Sequence, residues 1–210
     1  MPRGLTKKHD ARVAAILDAA VKLFAVKGYD AVTVADILEA VPIGKGTFYH
    51  YFGSKEDVLQ AVVERMTAML VERAQAAIAE PGVDAHSKMV RLIAAINVTG
   101  TPDGVVVDEL RHPANSQLLH QSLLEAVRQV APIMAKVVEQ GIAEGVYATP
   151  NPLESVEFLL VGVTTILDEG VFSWTPEQFA TRAAELARIT ELVLGAKPGS
   201  FAFLAAQAGN

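Results

Sequence analysis

Between Val13 and Lys55 the chain is cut by helix breakers into one long and two short helical segments. In the first, Ile16, Leu17, Ala20, Leu23 and Phe24 recur on one face, and Gly28 follows Lys27 where a helix stop belongs. Thr33 then opens a short helix with Asp36 three residues on, a capping box with a shorter acid than usual. Val34, Ile37 and Leu38 give that helix an apolar side, and Val41-Pro42 ends it. Gly44-Lys45-Gly46-Thr47 starts a second short element that carries Phe48-Tyr49-His50-Tyr51-Phe52. Gly53 breaks it, and Ser54 caps a long helix with Glu56 and Asp57 in its first turn, as the helix dipole prefers.

The rest of the chain is also helical in its spacing. Helices are expected over 54–79, 84–98, 103–111, 115–145 (bent near Pro132), 153–173 and 176–194. The 153–173 segment is apolar nearly all round, so burial on most sides is expected. Residues 199–210 read as a loose tail. There is no alternating strand pattern and no internal repeat, so the class is all-α. The expected organisation is a helix-turn-helix head over 1–55 with a basic N-terminal arm, a helical body over 56–195, and a flexible tail over 196–210.

Composition narrows the chemistry. Of 210 residues, 51% are apolar and 20% charged, with a mean hydropathy of +0.29. That is apolar enough to suggest a subunit interface or an internal pocket. There is no cysteine, which excludes disulfides, thiolate nucleophiles and Cys-ligated metals. No apolar stretch approaches the ~20 residues that span a bilayer. The first ten residues lack the apolar region of a signal peptide, so a cytoplasmic protein with no membrane partner is expected. The net charge of −6 hides a split: residues 1–55 carry eight Lys/Arg against five Asp/Glu, a net +3, and the remainder carries ten against nineteen, a net −9. A basic head on an acidic body suits contact of the head alone with a polyanion.

Two short helices with a tight turn, inside a three-helix unit, define a helix-turn-helix, whose second helix enters the major groove of DNA. Here that helix begins at Gly44 or Lys45. Glycine lets backbone approach phosphate, Lys45 adds charge, and Thr47, Tyr49 and His50 add donors. The Gly44-Lys45-Gly46-Thr47 run lacks the spacing of a nucleotide-binding loop. His112 and His120 stand eight apart with no third ligand, so no metal and no cofactor are expected. No catalytic constellation is legible, and Asp168-Glu169 reads as the wet end of a helix, so the chain is not expected to be an enzyme.

Residues 12–62, with Gly46-Thr47-Phe48-Tyr49-His50-Tyr51-Phe52 followed by Ser54-Lys55 at their centre, resemble the N-terminal domain of the TetR family of bacterial transcriptional repressors. The resemblance implies DNA-contacting roles for Thr33, Gly44, Lys45, Gly46, Thr47, Tyr49, His50, Tyr51 and Lys55. Lys45, Gly46 and Tyr49 match positions at base edges and neighbouring phosphates. Lys55 matches a lysine that grips a phosphate, and Thr33 a residue that opens the second helix against the DNA backbone. Phe48 and Phe52 are expected to pack inward against Ile16, Ala20 and Ile37. The family's turn has glycine, a small hydrophobe, then serine or threonine, whereas this chain has Pro42-Ile43-Gly44. Proline cannot take the positive φ of that glycine, so either the turn has another geometry or the preceding helix ends early. Gly44 also lacks a capping hydroxyl, which predicts weaker DNA affinity than is usual in the family.

The resemblance further implies a homodimer paired through the last two helices, and a body that holds a small-molecule inducer. Helical position nominates Met66, Met69, Ile93, Asn97, Leu110, His120, Leu124, Arg128, Phe158, Val161, Thr165 and Phe172 as pocket lining. The acidic body favours a neutral or cationic inducer. The expected function is a ligand-responsive repressor of a palindromic double-stranded DNA operator. An activator or low-specificity DNA binder of the same fold, and a helical carrier or enzyme, remain as alternatives.

Overall fold

Seven-residue helices are too short to stand alone in water, so their stability must come from tertiary packing. The computed structural model, which describes residues 3–97, 104, 116–167 and 172–207, shows how that packing is supplied. Among the described residues there are helices α1 (Arg3–Lys27), α2 (Val34–Ala40), α3 (Lys45–Tyr51), α4 (Lys55–Ile78) and α5 (Ala85–Ile96). They are followed by α6 (Ser116–Ala143), α7 (Pro152–Ile166), α8 (Pro176–Leu194) and α9 (Phe203–Gln207). The helix expected over 103–111 lies outside the described residues, apart from helical Gly104. The chain separates into two compact units, one of residues 1–69 with 98–123 and one of 70–97 with 124–210.

The first unit is built around one core. Ile16, Leu17, Ala20 and Phe24 of α1, Ile37 of α2, Phe48 of α3 and the adjoining Phe52 are all buried together. Val58, Leu59, Val62 and Val63 of α4 complete the cluster. The inward packing expected of Phe48 and Phe52 is therefore present. The domain boundary expected at residue 55 moves along the chain. Two short helices on α1 cannot cover their apolar faces without the first turns of α4, so the compact unit extends to Met69.

The second unit centres on Met89 and Leu92 of α5, Val130, Ala131, Met134, Val137 and Val138 of α6, Val156 of α7, and Leu194 and Phe201. Helix α6 continues through the exposed Pro132. At its end the chain doubles back: the N–H groups of Val146 and Tyr147 donate to the Gly141 carbonyl at 2.8 and 3.2 Å. Tyr147 lies so closely on Gly141 that a Cβ there would come within 2.1 Å of the ring. Helix α8 starts at a capping box of Thr175 and Gln178 and stops at Gly195, with φ 64°.

Two expectations fail in this unit. The tail from 196 onward is packed as far as α9: Phe201 is fully buried, and its N–H donates to the buried Glu191 carboxylate at 3.0 Å. Phe203 and Leu204 pack against the same core beside it, so the segment docks through three large apolar residues. Helix α7 is not buried on most sides either, since Val156 faces the core while Phe158 and Val161 are 66% and 45% exposed.

The proposed pocket lining also disperses. Leu110 lies outside the described residues. Met69, Asn97, His120, Leu124, Arg128, Phe158, Val161, Thr165 and Phe172 are exposed. Met66 and Ile93 are half-buried, each packed on the core of its own unit. Phe172 stacks on Trp174 at 5.1 Å, and Arg182 covers the same indole at 3.6 Å. Helical periodicity marks which positions are apolar but not what each one faces.

Candidate nucleic-acid interface

The turn between α2 and α3 resolves the problem posed by Pro42. Helix α2 ends at Ala40, Val41 is extended (φ −127°, ψ 141°), and the Ile43 N–H donates to the Val41 carbonyl at 2.8 Å. That three-residue hydrogen bond is a γ-turn centred on proline, whose fixed φ suits its inverse form. No residue in the turn needs positive φ: among the described residues, only glycines outside it adopt one. Gly44 is itself extended (φ −79°, ψ 155°) and caps α3 with its carbonyl, which accepts the Thr47 and Phe48 N–H groups.

Burial of Phe48 fixes which side of α3 faces out. At 100° per residue, Lys45, Tyr49, Gly46 and His50 fall on one arc, and all four are exposed. Thr47 and Tyr51 fall beside Phe48 and are half-buried. The Tyr49 ring is 49% exposed and stands edge-on to Phe48 at 5.4 Å. The Lys45 ammonium lies 6.0 Å from the centre of that ring. His50 stands edge-on to Tyr51 at 5.3 Å. Neither Gly44 nor Gly46 has any atom within 4 Å of where a Cβ would be, so the bare backbone is open to an approaching partner. The arrangement offers a cation, a phenol and an imidazole around a side-chain-free notch. Those groups suit hydrogen bonding to base edges and phosphates.

Thr33 and Lys55 are engaged within the chain. The Thr33 hydroxyl accepts the Asp36 N–H at 3.2 Å, and the Thr33 N–H donates to Asp36 Oδ2 at 2.9 Å, closing the capping box. Lys27 Nζ lies 2.6 Å from Asp36 Oδ1. These bonds, led by that from Lys27, hold the Asp36 carboxyl well below the usual carboxylate range. Lys55 Nζ donates to the Tyr29 carbonyl at 2.8 Å and lies 4.1 Å from the centre of the Tyr29 ring. Burial, aided by Glu56, pushes the Tyr29 phenol up to about 12. Sequence reading missed this use of Tyr29, because partners 26 residues apart leave no periodic trace.

The surroundings match known proteins. Residues 16–62 match the family described as "Bacterial regulatory proteins, tetR family", and residues 100–189 match "Tetracyclin repressor-like, C-terminal domain". The chain is 27% identical over 158 residues to the HTH-type transcriptional repressor KstR2 of Rhodococcus jostii, covering 73% of this chain and 76% of that protein. It is 26% identical over 161 residues to the Fatty acid metabolism regulator protein of Bacillus subtilis, covering 76% of this chain and 81% of the other. Among solved structures it resembles RolR in complex with resorcinol, with a TM-score of 0.62, 18% identity and 96% of each chain covered. An all-α chain with a helix-turn-helix presenting this arc is a DNA-binding transcriptional regulator. The chain belongs to the TetR family.

Proposed function

We propose that the protein is a repressor that binds a palindromic operator as a homodimer and leaves it when a small molecule binds. The observation that carries the reading is the exposed arc of Lys45, Gly46, Tyr49 and His50, held outward by buried Phe48 and Phe52. Thr47, Tyr51, Gly44 and Thr33 flank it as further DNA contacts. The outward apolar residues of α7 and α8, with Phe158 66% and Leu192 67% exposed, support pairing of the last long helices with their copies. A two-fold pairing uses the same patch on both subunits and sets two heads on an inverted repeat. KstR2 is named a repressor, the Bacillus protein a regulator of fatty acid metabolism, and RolR is bound to resorcinol, which favours a small organic inducer. Arg128 is exposed beside Glu125 at 3.9 Å, so it does not offset the acidic body, and a neutral or cationic inducer is favoured. Such a ligand releases DNA only by preferring the released state.

The test is selection of bound duplexes from random DNA by wild type, Lys45→Ala and Tyr49→Ala. The expected result is an enriched inverted repeat that both variants lose. No enrichment even at low salt would overturn the reading.

A further inference from the structure

We propose that Lys55 supports DNA binding as a positioning residue, by clamping the Tyr29–Asp30 turn, and not by gripping a phosphate. This rests on the reading of the head as a DNA binder. An ammonium has three donors. That of Lys55 donates to the Tyr29 carbonyl at 2.8 Å, reaches the Asp30 carbonyl at 3.5 Å, and sits 4.1 Å over the Tyr29 ring. Its side chain is half-buried, unlike the exposed Lys45. Tyr29 is 5% exposed, edge-on to Phe24 at 5.2 Å, and its hydroxyl donates to the Glu56 carboxylate. Two successive residues at the start of α4 thus hold both the backbone and the far end of one tyrosine.

What they hold is the lead-in to α2. The Tyr29 carbonyl also accepts the Val32 N–H at 3.2 Å, which closes the turn directly before Thr33. Both acceptor sites of that carbonyl are occupied while Lys55 is in place. Moving the ammonium to a phosphate would cost the bond to Tyr29 and the contact with its ring. Clamped, the turn fixes where α2 begins, and α2 shares its core with α3. Lys55 therefore sets the aim of the reading helix through the turn and the shared core.

The test uses the full chain and the duplex recovered by selection. Binding is measured from 50 to 200 mM salt for wild type, Lys45→Gln, Lys55→Gln and Lys55→Arg, with hydrogen exchange of the free proteins over 29–34. Each phosphate contact contributes about 0.9 to the slope of log affinity against log salt. Lys45→Gln should lower the slope by about that amount. Lys55→Gln should weaken binding about tenfold or more with the slope unchanged, and speed exchange over 29–34. Lys55→Arg, which keeps a phosphate ligand but not the clamp's geometry, should also weaken binding. A slope lowered by about 0.9 in Lys55→Gln with unchanged exchange, or full affinity in Lys55→Arg, would overturn the proposal. A wild type that binds no duplex at any salt would instead sink the reading of the head, and this proposal with it.

Discussion

Lys27 and Asp36 meet at 2.6 Å across the turn that joins α1 to α2. The same carboxylate closes the capping box with Thr33, so one side chain both starts α2 and ties it to the last turn of α1. Lys27 also sits where a cation suits the C-terminal end of a helix. The pair is half-exposed, so its value lies in fixing geometry more than in raw stability.

That pairing has a pH signature. The folded carboxyl of Asp36 titrates below its ordinary value of 3.8, because Lys27 and then Thr33 bond the charged form. A depressed carboxyl contributes stability above its unfolded value and loses it as pH falls through the folded one. Asp36→Asn should therefore lower the urea midpoint at pH 7, and the gap from wild type should shrink once the pH drops below about 4. Urea titrations at pH 7, 4 and 3 check this, and a gap of constant size at pH 3 would sink it.

Phe48 and Tyr49 are neighbours with opposite duties. Phe48 is fully buried, and Phe48→Ala should cost about 3–5 kcal/mol and unfold the head. Tyr49 is 49% exposed, and Tyr49→Ala should change stability by about 0.5 kcal/mol or less while weakening DNA binding. Thermal melts beside a binding titration separate the two. A large loss of stability in Tyr49→Ala would mean that its ring is structural.

Much of the head was legible in the sequence because its signals are local. Thr33 with Asp36, Ser54 ahead of Asp57, and Gly28 after Lys27 each act within one turn, and each does in the structure what the spacing predicts. The burial of Phe48, in α3, and of Phe52, just past its end, was legible because an aromatic cluster is usually core and the family resemblance points the same way. The arc on α3 then follows from that burial. What was not legible depends on residues far apart in sequence. Lys55 on Tyr29, Arg65 on Asp18 at 2.7 Å, and Phe201 on Glu191 are meetings that no periodicity encodes. A pocket lining is not legible for the same reason: Phe158 and Val161 are apolar at helical spacing whether they face a cavity, a core or a second copy of the chain.

Phe158 on α7 and Leu192 on α8 are large apolar side chains left two-thirds exposed, with Val161 and Ile189 exposed one turn away from them. If these faces pair with their copies, Phe158→Glu with Leu192→Glu should convert the dimer to a 22.4 kDa monomer in sedimentation, with little change in helicity. The same variant should lose the inverted repeat and keep at most weak half-site binding. A variant that remains dimeric would place the interface elsewhere.

The last segment contributes to the fold, so truncation should not be silent. Phe201 is fully buried, and its ring stands edge-on to His86 at 5.7 Å. Phe201→Ala should cost about 3–5 kcal/mol. It would also remove part of the cover from Glu191, whose carboxylate accepts the Phe201 N–H. Ending the chain after Pro198 should cost at least as much, read as a fall in the denaturation midpoint. Unchanged midpoints in both variants would mean that the segment is not docked in solution.

Gly44 gives the last test, because its backbone makes no use of being glycine. The residue is extended with φ −79°, open space surrounds the place of a Cβ, and no side chain caps α3. Serine fits that conformation, and its hydroxyl can accept an N–H from the first turn of α3. Gly44→Ser should therefore stabilise the head by a few tenths of a kcal/mol, seen as a small rise in the melting temperature. It should also raise affinity for the selected duplex, since a hydroxyl is restored beside Lys45 on the reading side. Greater stability with weaker binding would instead show that the partner's backbone needs the space that glycine leaves, and that Gly44 was kept bare for contact.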